Sequence, residues 1–120
     1  MAEAASVYLV DRVLLVAIGD NISDTEIMDL QERLAERIVA EAARGVVIDI
    51  AALEIVDTFV GRVLAQLSSM ARLLAAETYV VGMRPAVAMT LVELGMDLSG
   101  SKTALSLSHA LERLRRDGLA

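Results

Sequence analysis

Two short runs, Val46-Val-Ile-Asp-Ile50 and Thr78-Tyr-Val-Val81, are almost wholly apolar and rich in β-branched residues, and they flank a stretch with helical periodicity. Few folds accommodate that arrangement. A strand with one wet face alternates polar and apolar residues, whereas a strand covered on both faces reads as a continuous apolar run. Between the two runs Phe59, Val63, Leu67, Met70 and Leu74 recur every three to four residues, which predicts a helix from about Thr58 to Leu74. A strand, a crossover helix and a second strand of these lengths give a parallel pair with a right-handed connection. Both strands then end at the same edge of the sheet, which brings Asp57-Thr58, at the helix start, near the turn Gly82-Met-Arg-Pro85.

The remaining segments extend this unit. Ser6 to Val10 and Val13 to Ile18 read as strands of a hairpin turning at Asp11-Arg12. Ser23 and Glu26 have capping-box spacing, and Ile27, Leu30, Leu34, Ile38 and Ala42 continue at helical intervals until Gly45. Pro85 is suited to open a helix over Ala86 to Leu94 that Gly95 ends. A short extended piece near Thr103–Leu105 follows. Ser106 then caps a helix carrying Leu107, Ala110, Leu111 and Leu114, with Arg113, Arg115 and Arg116 at its C-terminal end and Gly118 as its stop. Neither a linker nor an internal repeat interrupts the chain, so residues 1–120 are expected to form one α/β domain, a mixed sheet packed against about four helices.

Composition narrows the functions open to such a domain. At 120 residues the chain can bury a core but cannot make two domains. It is 56% hydrophobic but only 2% aromatic, without Trp, so the core must be aliphatic and stacking on bases is disfavoured. A formal charge of −6 argues against nucleic acid and anionic membranes as partners, because lysine and arginine must neutralise phosphates there. The absence of cysteine excludes disulfides and thiolate chemistry, and a single histidine removes most imidazole sites. Mean hydropathy is +0.57, yet charged residues interrupt every apolar stretch before it could cross a bilayer. With no signal-peptide pattern at the N-terminus, a cytoplasmic location is expected.

The candidate site is the helix start. Asp57 is a good N-cap, since its carboxylate can accept from first-turn N–H groups. Thr58 falls at the first helical position, over the positive end of the helix dipole. A phosphate on that hydroxyl would add roughly −1.5 to −2 charges without refolding. Aspartate followed by threonine is also ordinary helix-start chemistry, and that reading stays open. Around Thr58 an apolar, neutral patch offering Phe59, Val60 and Gly61 is expected, with Arg62 and Arg84 as cations that could hold a phosphate and Gly82 in the facing turn. Gly61 lies inside a helix at a cost of about 1 kcal/mol relative to alanine, which close approach of a partner or a neighbouring element would explain.

Other positions carry less. Asp49, Glu54 and Asp57 match no metal loop and read as structural or solvated carboxylates. His109 reads as a surface histidine, Met70 and Met89 as core, Met83 and Met96 as core or an adaptable interface, and Thr90 as a helical threonine bonding backward. No nucleophile–histidine–acid set and no glycine-rich phosphate loop is present, so neither an enzyme nor a cofactor is implied.

The strand ending in Val47-Ile-Asp49, the Asp57-Thr58-Phe59 helix start and, above all, Gly82-Met-Arg-Pro-Ala-Val-Ala-Met-Thr-Leu-Val-Glu-Leu-Gly95 resemble STAS domains, and within them the stressosome branch. The resemblance covers nearly the whole chain. It implies a cytoplasmic scaffold that assembles with RsbR-like paralogues into a large complex, sequesters an RsbT-like switch kinase and releases it on phosphorylation at Thr58. Pairing as a homodimer is also implied. The scaffold's acceptor in that branch is a serine; threonine keeps the hydroxyl, and its methyl restricts rotation. Two alternatives accompany this reading: a stand-alone anti-sigma factor antagonist that binds an anti-sigma kinase as a small complex, and a small-ligand or nucleotide-binding module using the strand-end crevice near Thr58 and Gly82.

Overall fold

Side-chain parity along three parallel strands organises the molecule. The computed structural model describes residues 5–96, 98 and 100–120, so residues 1–4, 97 and 99 of the expected domain lie outside the described residues. Its elements are β1 (Ala5–Val10), β2 (Val13–Ile18), α1 (Asp24–Ala40), β3 (Gly45–Asp49), α2 (Thr58–Leu73), β4 (Glu77–Val81), α3 (Pro85–Glu93), β5 (Lys102–Ala104) and α4 (Leu107–Arg116). The sheet runs β1-β2-β3-β4-β5. β1 is antiparallel to β2 and every other pair is parallel, with Leu15, Val47 and Tyr79 in register across the middle. The fold is therefore the expected α/β domain with a mixed five-stranded sheet and four helices.

Leu14, Val16, Ile18, Val46, Ile48 and Val80 point to one face, where residues of α1, α2 and α3 close a continuous core. Val13, Val47, Tyr79 and Val81 point to the other, which Ala110, Leu111 and Leu114 of α4 cover. Both faces of β3 and β4 are dry, which is why their sequences do not alternate.

Local chemistry sets the boundaries. Asp11 and Arg12 both adopt left-handed backbone, at φ 49° and 68°, as a two-residue hairpin requires. Arg115 Nη2 donates to Asp11 Oδ2 at 2.6 Å and ties that turn to α4. At α1 the capping box is complete: Glu26 N donates to Ser23 Oγ at 3.2 Å and Ser23 N to Glu26 Oε1 at 3.0 Å.

The end of α1 differs from expectation. The helix stops at Ala40, and Ala42 is exposed with φ 49°, while Ala43 N returns to Ile38 O at 3.0 Å and Ala43 takes the buried place. Alanine occupies the left-handed capping position that glycine usually fills. Gly45 is not the helix stop; it begins β3 at a close approach, where a Cβ would lie 3.0 Å from Leu114 Cδ1. The same closure recurs after α2, with Ala75 at φ 65°, and after α3 and α4, with Gly95 and Gly118.

Candidate functional site

The loop from Ile50 to Asp57 leaves β3 at the carboxyl edge of the sheet and is braced from several sides. Ile50 N donates to Val81 O at 3.0 Å, extending the pairing of β3 with β4 by one bond. Asp49 Oδ1 accepts from Ala51 N at 2.9 Å, so this carboxylate shapes a turn rather than a metal site. Gly82, at φ +75°, permits the close approach: a Cβ there would stand 2.9 Å from Ala51 Cβ and 3.0 Å from Asp49 Oδ1. Arg84 Nε donates to Ala51 O at 3.1 Å, and its Nη1 lies 4.0 Å from Glu54 Oε1. Further along, Glu54 N donates to Asp20 Oδ1 at 3.3 Å, and the buried side chains of Leu53 and Val56 anchor the loop in the core.

This scaffold delivers Asp57 and Thr58. Asp57 has extended backbone, φ −125° and ψ −176°, and its Oδ1 accepts from Val60 N at 2.9 Å. Thr58 is the first residue of α2 and is exposed. Phe59 is also exposed, and Val60 is half-buried against the core. Arg62 lies four residues beyond Thr58, hence on the same face of the helix, and has no ion pair among the described residues. Arg84, by contrast, directs its guanidinium to Ala51 and Glu54.

Three expectations need correction. Gly61 offers no surface to a partner: it is buried, and a Cβ there would collide with Met96 Sδ, so a neighbouring segment accounts for the glycine. The patch is apolar but not neutral. Asp20, Asn21, Ile22, Ile55, Asp57 and Phe59 line a shallow cleft of about 260 Å³, and Asp20 and Asp57 give it an acidic rim. Met89 is 62% exposed because α3 buries only the stripe of Val87 and Leu91, and Met89 stands roughly 200° from Val87 around the helix. Met70, Met83 and Met96 pack against the core, His109 is exposed, and Thr90 Oγ1 donates back to Ala86 O at 2.9 Å.

Two residues at this edge escaped the sequence reading. Ile55 is 76% exposed although it is large and aliphatic. The available signal was three apolar residues, Leu53, Ile55 and Val56, in a loop without strand or helix period, more than such a loop can bury. Asp20 is distant in sequence and comes into play only through its bond to Glu54 N. Among the described residues no group of three or more His, Cys, Asp or Glu could hold a metal ion, and no helix is long and apolar enough to cross a membrane.

Residues 4–110 match the STAS domain family. The chain is similar to RsbS of Moorella thermoacetica, solved as a serine-to-glutamate variant, with 40% identity, a TM-score of 0.82, and coverage of 97% of this chain and 98% of that one. It is similar to a chain in the solved molecular architecture of the stressosome, a signal integration and transduction hub, with 41% identity, a TM-score of 0.83, and coverage of 96% and 100%. RsbRA of Bacillus subtilis, an RsbT co-antagonist protein, is 29% identical over 102 residues, which span 85% of this chain and 37% of that protein.

Proposed function

Because this chain belongs to the STAS-domain family, we propose that it is a stressosome scaffold and antagonist that holds an RsbT-like switch kinase at the Thr58 edge and releases it when Thr58 is phosphorylated. The observation that carries the reading is an exposed hydroxyl at the first position of α2, fixed by the Asp57 cap and set beside the exposed apolar side chains Ile55 and Phe59. The kinase would transfer the γ-phosphoryl group of ATP to Thr58 Oγ1, breaking its bond to ADP, which leaves, while the hydroxyl proton passes to a base on the kinase. The product carries roughly −1.5 to −2 charges beside Asp57, on a cleft that Asp20 already makes acidic. First-turn N–H groups and Arg62 would hold it, while an apolar interface formed against Ile55 and Phe59 would have to desolvate it.

Likeness to RsbS and to a stressosome chain at 40% and 41% identity supports assembly into a large complex with RsbR-like paralogues. The relative solved with glutamate carries that replacement at the position numbered 58 in its own chain, the number Thr58 has here. The protein acts as a binding surface and substrate rather than an enzyme. A stand-alone antagonist would instead form a small complex with an anti-sigma kinase, a difference visible in the mass of the assembly.

Intact-mass and peptide mass spectrometry after incubation with the switch kinase, ATP and magnesium tests the reading. One phosphate at Thr58 with loss of kinase binding is expected. A chain that stays unlabelled, while Thr58→Ser is labelled and released, would leave a scaffold whose switch is blocked.

A further inference from the structure

The edge of the sheet opposite Thr58 holds a second concavity. The amino ends of β3, β4 and β5 and the C-terminal end of α2 frame a cleft of about 510 Å³, within the range of small-molecule sites. Arg44, Arg72 and Lys102 all line it, three of the eleven basic residues in a chain whose net charge is −6. The facing acids are Glu77, which pairs with Lys102, and Asp117, which acts on Lys102 electrostatically. Arg44 and Arg72 have neither an ion pair nor a side-chain hydrogen bond among the described residues. At the C-terminal end of α2 the N–H groups of Leu74, Ala75 and Ala76 bond to the carbonyls of Met70, Ala71 and Arg72, and the remaining negative pole of the helix opposes an anion that the two arginines must outweigh. Thr78, also in the lining, is only 2% exposed, and its Oγ1 is buried without a hydrogen-bond partner among the described residues.

We propose that this cleft binds a small phosphate-bearing molecule. Two unpaired guanidinium groups flank it, each able to grip phosphate oxygens bidentately, and the pairing of Lys102 with Glu77 keeps that carboxylate from facing the ligand bare. The inference is independent of the role assigned to Thr58.

Titration calorimetry of the full chain with sodium pyrophosphate, against sodium chloride at matched ionic strength, tests it. Saturable one-to-one binding is expected. The Arg44→Gln/Arg72→Gln chain should bind at least roughly tenfold more weakly, the factor that one charge-assisted contact supplies, and Arg33→Gln, in the middle of α1 and outside the lining, should bind as the parent does. On titration, the amide resonances of Thr78 and Lys102 should move and that of Thr58 should not. Absence of saturable binding, equal loss in Arg33→Gln, or shifts centred on Thr58 would each overturn the proposal.

Discussion

Two glycines at the Thr58 edge do different physical work. Gly82 combines a positive φ with backbone and side-chain atoms of Asp49 and Ala51 at contact distance, so neither a rotamer change nor a small shift relieves an added methyl. Gly82→Ala should therefore lower stability by about 1–3 kcal/mol, read from urea unfolding, and should slow phosphorylation of Thr58 because the loop from Ile50 to Asp57 loses its seat. Gly61 has ordinary helical backbone, and its constraint is Met96 alone. Gly61→Ala gains about 1 kcal/mol in helix propensity and loses some of it in turning aside the flexible Met96 side chain, so the net change in stability should be small. A second substitution, Met96→Ala, should recover part of the loss, and a double-mutant cycle would measure the coupling; simple additivity would show that something other than Met96 excludes the side chain.

The elements were legible in the sequence where chemistry is local. The Ser23–Glu26 capping box, the Asp57 and Ser106 caps, Pro85 at the first helical position and the Asp11-Arg12 turn all formed as read. The places of Asp57 as cap and Thr58 as first residue of α2 were legible for the same reason. What failed depended on contacts across the fold. Ala42 continues the helical period of α1, but Ala43 is the residue the core accepts; Gly45 looks like a stop, but the side chain of Leu114 explains it. Ile55, Asp20 and the burial of Gly61 likewise follow from neighbours far along the chain. The closure of α1 carries its own prediction. Alanine in left-handed backbone costs about 1 kcal/mol that glycine avoids, so Ala42→Gly should raise stability by about that amount in thermal or urea unfolding. The opposite sign would mean that the unfolded chain's added freedom outweighs the relief of strain.

At the scale of the whole molecule, the two cores protect the fold from events at its carboxyl edge. Thr58 is exposed, and the side chains that anchor its loop, Leu53 and Val56, are buried beneath it. Thr58→Glu should therefore melt within a few degrees of the parent, a change of under about 1 kcal/mol, while binding to the switch kinase weakens roughly ten- to a hundredfold. Calorimetry of the isolated chain and a kinase pull-down separate the two effects; a large fall in melting temperature would show that the edge communicates with the core. Thr58→Ala should keep the kinase and lose the switch.

The bracing of that edge by Asp49, Gly82 and Arg84 also limits how far news can travel. A mark placed on a ledge that does not yield leaves no imprint on the far side of the molecule, and in physiological salt its field fades over about 8 Å. Only a molecule in contact with the ledge can read it. Under the proposed switch, amplification would come from how many such ledges are presented together, each read by touch, rather than from a shape change relayed through one copy.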